Sequence, residues 1–221
     1  MPAKNAKNER EYRQMSLDIV QRDGEEAEQN EQMRVAGYAS TFNEPYVLYE
    51  DSDIIFREQV DPSAFNDTDM SDVIMQYNHE GRVFARTSNG TLEVNADDKG
   101  LYIEADLGGT ELGRELYEEI RGGYTDKMSF GFIVDRDEEL RTEAEDGRVD
   151  YLRTITGISK LFDVSAVSIP ANGGTSIGVQ TRSRIDGAIE EIRAERLEAE
   201  KIELERRRAE LRARALGKES I

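Results

Sequence analysis

Apolar and polar residues alternate along several short stretches between residues 12 and 169, and turn-forming residues separate these stretches. Such alternation is typical of β-strands that bury one face. The Asn89-Gly90 and Lys99-Gly100 pairs indicate tight turns, because Asn and Gly tolerate positive φ angles. We therefore predict a mainly β domain. Its clearest strands are expected near residues 12–19, 33–39, 72–77, 90–94, 101–106, 128–135 and 164–169.

One helix is predicted inside this domain, over residues 111–121. Leu112, Leu116 and Ile120 recur every four positions and would share one face of it. Thr110 is a suitable N-cap, and the two glycines after the segment provide a stop. The highly charged residues 135–149 are expected to form a surface loop. Their acids lack the ligand spacing and central glycine of an EF-hand, so no metal site is predicted there.

The C-terminal part has a different pattern. From Arg184 to Ala215 there is neither proline nor an aromatic residue, and helix formers dominate. Its two apolar stripes are out of phase, which argues against a long regular coiled coil. We predict an amphipathic helix that docks on a partner or on its own domain, with a largely solvated helix as the alternative. The stripes are Ile185, Ile189 and Ile192, and Leu197, Leu204 and Leu211.

The composition limits the class of protein. The 221 residues suffice for one domain with an appendage, and we expect disordered residues 1–10, a β domain over 11–181 and a helical tail over 182–221. The chain has no Cys, which excludes disulfides, thiolate catalysis and zinc–thiolate sites. No apolar run approaches the roughly 20 residues of a membrane span, and the polar N-terminus does not resemble a signal peptide. We expect a soluble cytosolic protein without a membrane partner or cofactor.

Charge is distributed unevenly along the chain. The net charge is -18, and residues 182–221 are nearly balanced with 11 basic and 10 acidic side chains, so residues 1–181 carry -19. An acidic surface repels the phosphate backbone, and direct nucleic-acid binding is therefore not expected.

Three apolar segments carry side chains suited to acyl-transfer chemistry. His79, the single histidine, follows a predicted strand, Ser129 lies in a second segment and Asp163 in a third. Imidazole accepts a proton near neutral pH and can therefore activate a serine hydroxyl. Because the chain has one histidine, any Ser–His chemistry must use His79. A lone histidine beside an apolar run is, however, more often a structural residue. Ser165 and Ser168 are rival nucleophiles.

Six strings, in this order and spacing, resemble the head maturation (prohead) proteases of tailed bacteriophages over about residues 12–182. They are GYASTFN (37–43), QYNH (76–79), ARTSNGTL (85–92), DKGL (98–101), MSFGF (128–132) and FDVSAVSIPAN (162–172). The resemblance implies a serine endopeptidase inside the assembling procapsid, in the host bacterial cytoplasm. It also implies kinship with herpesvirus assembly proteases, and hence a closed antiparallel β-barrel flanked by helices.

The resemblance assigns roles to individual residues. His79 matches the general base, Ser129 the nucleophile, and Asp163 the acidic residue, which is often Glu in the family. The arginine-rich loop that supplies the oxyanion hole of the herpesvirus enzymes has no counterpart here. Arg86, the Gly131 amide or other backbone amides near Ser129 are candidate donors, and a salt bridge is the alternative role for Arg86.

The function implied by this resemblance is cleavage of internal scaffold and capsid precursor, and of the protease itself, during capsid assembly. The expected partners are those precursors, and a homodimer is left open. The alternative is a non-catalytic scaffold or core protein of the procapsid. A matched set of base, nucleophile and acid favours the enzyme, because a scaffold has no need of it. The helical tail is expected to direct the protein into the shell.

Overall fold

The computed structural model describes residues 10–15, 20–21, 33–167 and 179–216. Within these ranges the chain forms eleven strands and two α-helices, so the mainly β prediction holds. The predicted disorder of residues 1–9, the strand residues 16–19 and 168–169, and Ser168 lie outside the described residues. The helices are α1 (Glu111–Arg121) and α2 (Val179–Leu216). The strands are β1 (Glu11–Met15), β2 (Val20–Gln21), β3 (Arg34–Thr41), β4 (Tyr46–Glu50), β5 (Ile54–Val60), β6 (Ile74–Tyr77), β7 (Glu80–Arg86), β8 (Leu92–Ala96), β9 (Gly100–Asp106), β10 (Lys127–Glu143) and β11 (Val149–Val167).

The strands form two sheets that are not closed into a barrel, so the predicted closed barrel is wrong. One sheet has seven strands. Five follow the order β1-β10-β11-β5-β4, β6 pairs with β11, and β7 pairs with β6; the other sheet has the order β2-β3-β9-β8. The reason is the length of β11. Its first half pairs in parallel with β5 and its second half in parallel with β6, so the larger sheet branches instead of curling back on itself.

The longest feature is the β10–β11 hairpin, which corrects the predicted loop at 135–149. Antiparallel pairing continues from Lys127↔Val167 to Glu143↔Val149, and Gly147, with φ 82°, lies in the turn. The far part of β10 is exposed on both faces. Charged side chains are therefore tolerated on a regular strand, and the period of two that identifies a half-buried strand is missing.

The main core lies between the two sheets and under α1. Phe130, Phe132 and Val164 of the larger sheet pack in one cluster with Ile103 and Leu116. Helix α1 has the predicted bounds, and the Thr110 hydroxyl accepts the Gly113 amide as its cap. Leu116 and Ile120 are buried as predicted, whereas Leu112 is partly exposed.

The two apolar stripes of α2 have different fates. Ile185, Ile189 and Ile192 pack in a second cluster with Ile54 and Phe56 of β5, so the first part of the helix docks on its own domain. The second stripe, formed by Leu197, Leu204 and Leu211, is exposed. Neither helix has an apolar stretch long enough to cross a membrane in the part of the chain that the structure describes.

Candidate active site

His79 lies in a two-residue hairpin turn between β6 and β7. Tyr77 pairs with Glu80, so Asn78 and His79 form the whole turn. Both residues adopt the left-handed backbone conformation, with φ 52° and 60°, and two-residue hairpin turns require this conformation. Asn and Gly are favoured there, and a histidine with positive φ is strained by about 1–2 kcal/mol relative to its preferred backbone. The turn thus holds the imidazole at a backbone position where an ordinary turn residue would be more stable.

Ser129 and Asp163 project from neighbouring strands on one face of the larger sheet. Gly131 pairs with Asp163 and Ser129 with Ser165, and directly opposed residues in an antiparallel pair share a face. Ser165 pairs in turn with Gln76 of β6, which brings the β6–β7 turn alongside. The three predicted residues, separated by up to 84 positions in the chain, thereby meet at one place.

The three side chains form a continuous hydrogen-bonded chain. His79 Nδ1 lies 2.5 Å from Asp163 Oδ1, and His79 Nε2 lies 2.6 Å from Ser129 Oγ. An ionised carboxylate only accepts, so Nδ1 carries the proton and Nε2 is left to accept from the serine hydroxyl. This is the relation of orienter, base and nucleophile that defines a triad.

The carboxylate of Asp163 is completely buried and receives further donors. The Ser165 hydroxyl donates to Oδ1 at 2.7 Å, and the Arg10 guanidinium pairs with Oδ2. Gly131 makes room for this arrangement, because a Cβ there would lie 2.6 Å from Asp163 Oδ2 and 2.8 Å from Arg10 Nε. The observed contribution of Gly131 is therefore steric. That its amide donates to the oxyanion stays a prediction.

The imidazole of His79 is held neutral by its surroundings. Burial, and secondly the positive charge of Arg10, lower the pKa of His79 from 6.5 to about 4. The Tyr12 ring meets the imidazole edge-on, with 4.5 Å between ring centroids. A neutral imidazole is the form that can accept the serine proton.

The N-terminal strand β1 runs directly past the nucleophile. It pairs antiparallel with β10, with Gln14 opposite Ser129. Ser129 Oγ also lies 2.7 Å from the Arg13 carbonyl oxygen, so two acceptors share its single proton. Ser129 is completely buried, and a peptide carbonyl reaches it only when the covering groups shift.

A buried cluster of charges anchors β1. Arg13 Nε lies 2.5 Å from Glu58 Oε1, and Arg153 Nη1 lies 2.8 Å from Glu58 Oε2. Glu11 accepts from both arginines. Burial opposes the charge on Glu58, but Arg13 and Arg153 outweigh it and hold the pKa of its carboxyl below its usual value. The cluster therefore ties β1 to β5 and β11 through charged groups that are satisfied together.

Arg86 is engaged elsewhere. Its guanidinium makes two hydrogen bonds to Asp72, of 2.7 and 2.6 Å, near the protein surface. It lies at the end of β7, which is three strands from β10 through β6 and β11, or roughly 14 Å at the usual strand spacing. The salt-bridge alternative for Arg86 is the one that the structure contains.

Two residues around the site were not anticipated in these roles. Arg10 fell in the polar stretch expected to be disordered, and its partner comes 153 positions later, so no local signal pointed to it. Ser165 was considered only as a rival nucleophile. Its place two residues after Asp163 on a strand puts both side chains on one face, and that signal was available. Among the described residues, no group of three or more His, Asp or Glu side chains is arranged to hold a metal ion.

The geometry defines a serine-hydrolase type of site, with hydroxyl, imidazole and carboxylate in sequence. A protein-family model described as caudovirus prohead serine protease matches residues 18–187. The chain therefore belongs to the caudovirus prohead serine proteases, as the sequence motifs indicated. No curated protein and no solved structure matches the chain. The match begins after β1, which lies outside it.

Proposed function

We propose that this protein is the endopeptidase that cleaves internal scaffold and capsid precursor, and also itself, inside the procapsid in the host cytoplasm. The observation that carries the proposal is the chain of contacts from Ser129 through His79 to Asp163. Membership of the prohead serine proteases supports it. The function fits a buried, desolvated triad, because a general base needs a neutral imidazole at its operating pH.

The mechanism follows from the atoms that touch. Ser129 Oγ attacks the peptide carbonyl carbon while His79 Nε2 takes the hydroxyl proton. Asp163 accepts from Nδ1 and stabilises the imidazolium that forms. His79 then gives the proton to the leaving amine, and a water molecule, activated by the same imidazole, hydrolyses the acyl-enzyme. Backbone amides near Ser129 are the favoured oxyanion donors, since Arg86 is paired with Asp72.

The exposed second half of α2 suits the proposed delivery of the enzyme into the shell. It extends beyond the docked part of the helix and presents Leu197, Leu204 and Leu211 to solvent. The first half is occupied by its contacts with β5. The capsid and scaffold precursors are the proposed partners of the site.

The test is co-expression with a capsid precursor, followed by a denaturing gel. Ser129→Ala and His79→Ala should each abolish cleavage of the precursor and any self-trimming, because triad members act as a unit. Ser159→Ala is the matched control, since Ser159 lies on the same strand as Asp163 but is exposed. Undiminished cleavage by Ser129→Ala would refute the assignment and favour a non-catalytic scaffold protein.

A further inference from the structure

The carboxylate of Asp163 is held at both of its oxygen atoms. Oδ1 receives His79 Nδ1 and the Ser165 hydroxyl, and Oδ2 receives the Arg10 guanidinium. Asp163 is 0% exposed, so its orientation is set by these donors and not by water. A buried carboxylate is stable only when its lone pairs are satisfied.

We propose that Arg10 and Ser165 are positioning residues of the proteolytic site, which fix the carboxylate that orients His79. This inference rests on the proposed function. Arg10 fixes one oxygen and supplies the counter-charge, while Ser165 fixes the other oxygen beside the imidazole. Neither residue touches the reacting atoms, so both act through Asp163.

Arg10 is held in place by contacts on several sides. Its guanidinium stacks over the Phe162 ring at 4.5 Å and over the Tyr12 ring at 5.0 Å. Gly131 has no side chain, and the guanidinium of Arg10 occupies the space that a Cβ would need. The residue directly precedes β1, and the buried cluster around Glu58 anchors that strand. Arg10 therefore approaches Asp163 as part of a fixed element.

Arg10 and β1 lie before residue 18, where the match to the prohead serine proteases begins. The proposal thus adds to the site a residue, Arg10, that the family match does not cover.

Ser165 is arranged as a donor and not as a nucleophile. It is completely buried, and its hydroxyl lies 2.7 Å from a carboxylate oxygen that can only accept. Its proton is therefore committed to Asp163. The nitrogen of His79 that could activate a nucleophile faces Ser129 instead.

The positioning role makes a specific statement about charge. Among the described residues, the groups that face the imidazole are Asp163 from β11, Ser129 from β10, and Arg10 and Tyr12 from the N-terminal segment. Of these, Arg10 alone carries a positive charge, which opposes protonation of His79. Loss of that charge should raise the pKa of His79 toward its ordinary value.

The experiment uses the full chain with Arg10→Gln, Arg10→Lys and Ser165→Ala. The controls are Arg34→Gln, an arginine of similar exposure that pairs with Glu104, and Ser159→Ala. Peptide cleavage is measured as kcat and KM across pH. The titration of His79 is followed by NMR in each variant and, to avoid self-digestion, in the Ser129→Ala background. His79 is the only histidine, so its imidazole signals need no assignment.

Arg10→Gln should lower kcat by about tenfold to a hundredfold, as for other groups that orient a ligand or base, with KM unchanged. It should also move the His79 titration and the acid limb of kcat to higher pH. Arg10→Lys should keep the titration near that of the parent, because it keeps the charge. Ser165→Ala should lower kcat by a similar factor, and both controls should match the parent.

Wild-type kcat in Arg10→Gln together with an unmoved His79 titration would overturn the role of Arg10. Wild-type kcat in Ser165→Ala would overturn that of Ser165. The NMR titration does not depend on proteolysis. If Ser129→Ala still cleaves, the proposed function fails, whereas the coupling of Arg10 to His79 is still decided by the titration.

Discussion

Gly131→Ala tests the packing of the site with the smallest possible change. The added Cβ would lie 2.6 Å from Asp163 Oδ2, 2.8 Å from Arg10 Nε and 2.9 Å from Tyr12 Cε1. Ordinary contact begins near 3.4 Å, so Asp163 has to retreat by about 0.8 Å. Asp163 is tied to His79 and Ser165, and it can move only if those hydrogen bonds lengthen.

The expected magnitude follows from this displacement. Overpacking a filled site costs about 1–3 kcal/mol in the free energy of unfolding. A misplacement of about 1 Å in a catalytic array costs about a hundredfold in rate, which corresponds to about 2.7 kcal/mol of transition-state stabilisation. We expect Gly131→Ala to lose about a hundredfold in kcat/KM while it remains folded.

The assay combines peptide cleavage with denaturant unfolding. Gly109→Ala is the matched control, because nothing lies within 4 Å of the added Cβ and the residue has no positive φ. The control should keep the activity of the parent. A Gly131→Ala protein with kcat/KM close to that of the parent would show that Asp163 does not need its observed position.

Four further outcomes are expected. Because the pKa of His79 is about 4 in the folded chain and 6.5 in the absence of burial and of the Arg10 charge, the unfolded chain binds the proton first, and stability should fall by about 3 kcal/mol as pH drops from above 6.5 to below 4. His79→Gly should be about 1–2 kcal/mol more stable than His79→Ala, because glycine, unlike alanine, adopts φ 60° without strain. Glu58→Gln should cost about 3–5 kcal/mol, since it removes one of the carboxylates that balance two buried arginines and leaves the cluster with an excess positive charge. A chain that ends after Arg196 should fold and cleave peptides, whereas one that ends after Arg182 should be insoluble or inactive, because Phe56 and its neighbours lose the α2 contacts.

Each of these expectations has a contrary result. A His79→Gln protein with the same loss of stability between pH 6.5 and 4 would show that another group titrates. Equal unfolding midpoints for His79→Gly and His79→Ala would show that the backbone at this position is not strained. A Glu58→Gln protein of parental stability would show that the carboxylate of Glu58 makes no net contribution to the free energy of unfolding. An active, soluble chain ending after Arg182 would show that α2 is dispensable throughout its length.

The features of the fold that were predictable are those with local causes. Helix α1 was placed correctly because its cap, its apolar spacing and its glycine stop lie within a few residues. The extension of β10 was missed because both of its faces are solvated over residues 138–143, so charge hides the strand period. Barrel closure depends on which strands pair along β11, a long-range property that no single segment carries.

The residues of the site also divide into those with a local sequence signal and those without one. His79, Ser129 and Asp163 each lie in a recognisable string, and the structure brings them into contact. No recognisable motif surrounds Arg10, and its contact with Asp163 appears only once β1 is paired with β10. Residues that act through a distant partner are therefore the ones that sequence reasoning overlooks.

The proposed mechanism gives Arg10 an electrostatic role beside the three triad residues. At rest, Arg10 and Asp163 cancel and His79 is neutral. During attack in the proposed mechanism, His79 becomes positive while the substrate oxygen becomes negative, so the charges cancel again. Without Arg10, the resting site would carry one uncompensated buried charge, which costs several kcal/mol and favours a protonated His79 that cannot act as a base. In that mechanism, the guanidinium of Arg10, which directly precedes β1, keeps the pocket neutral in both states.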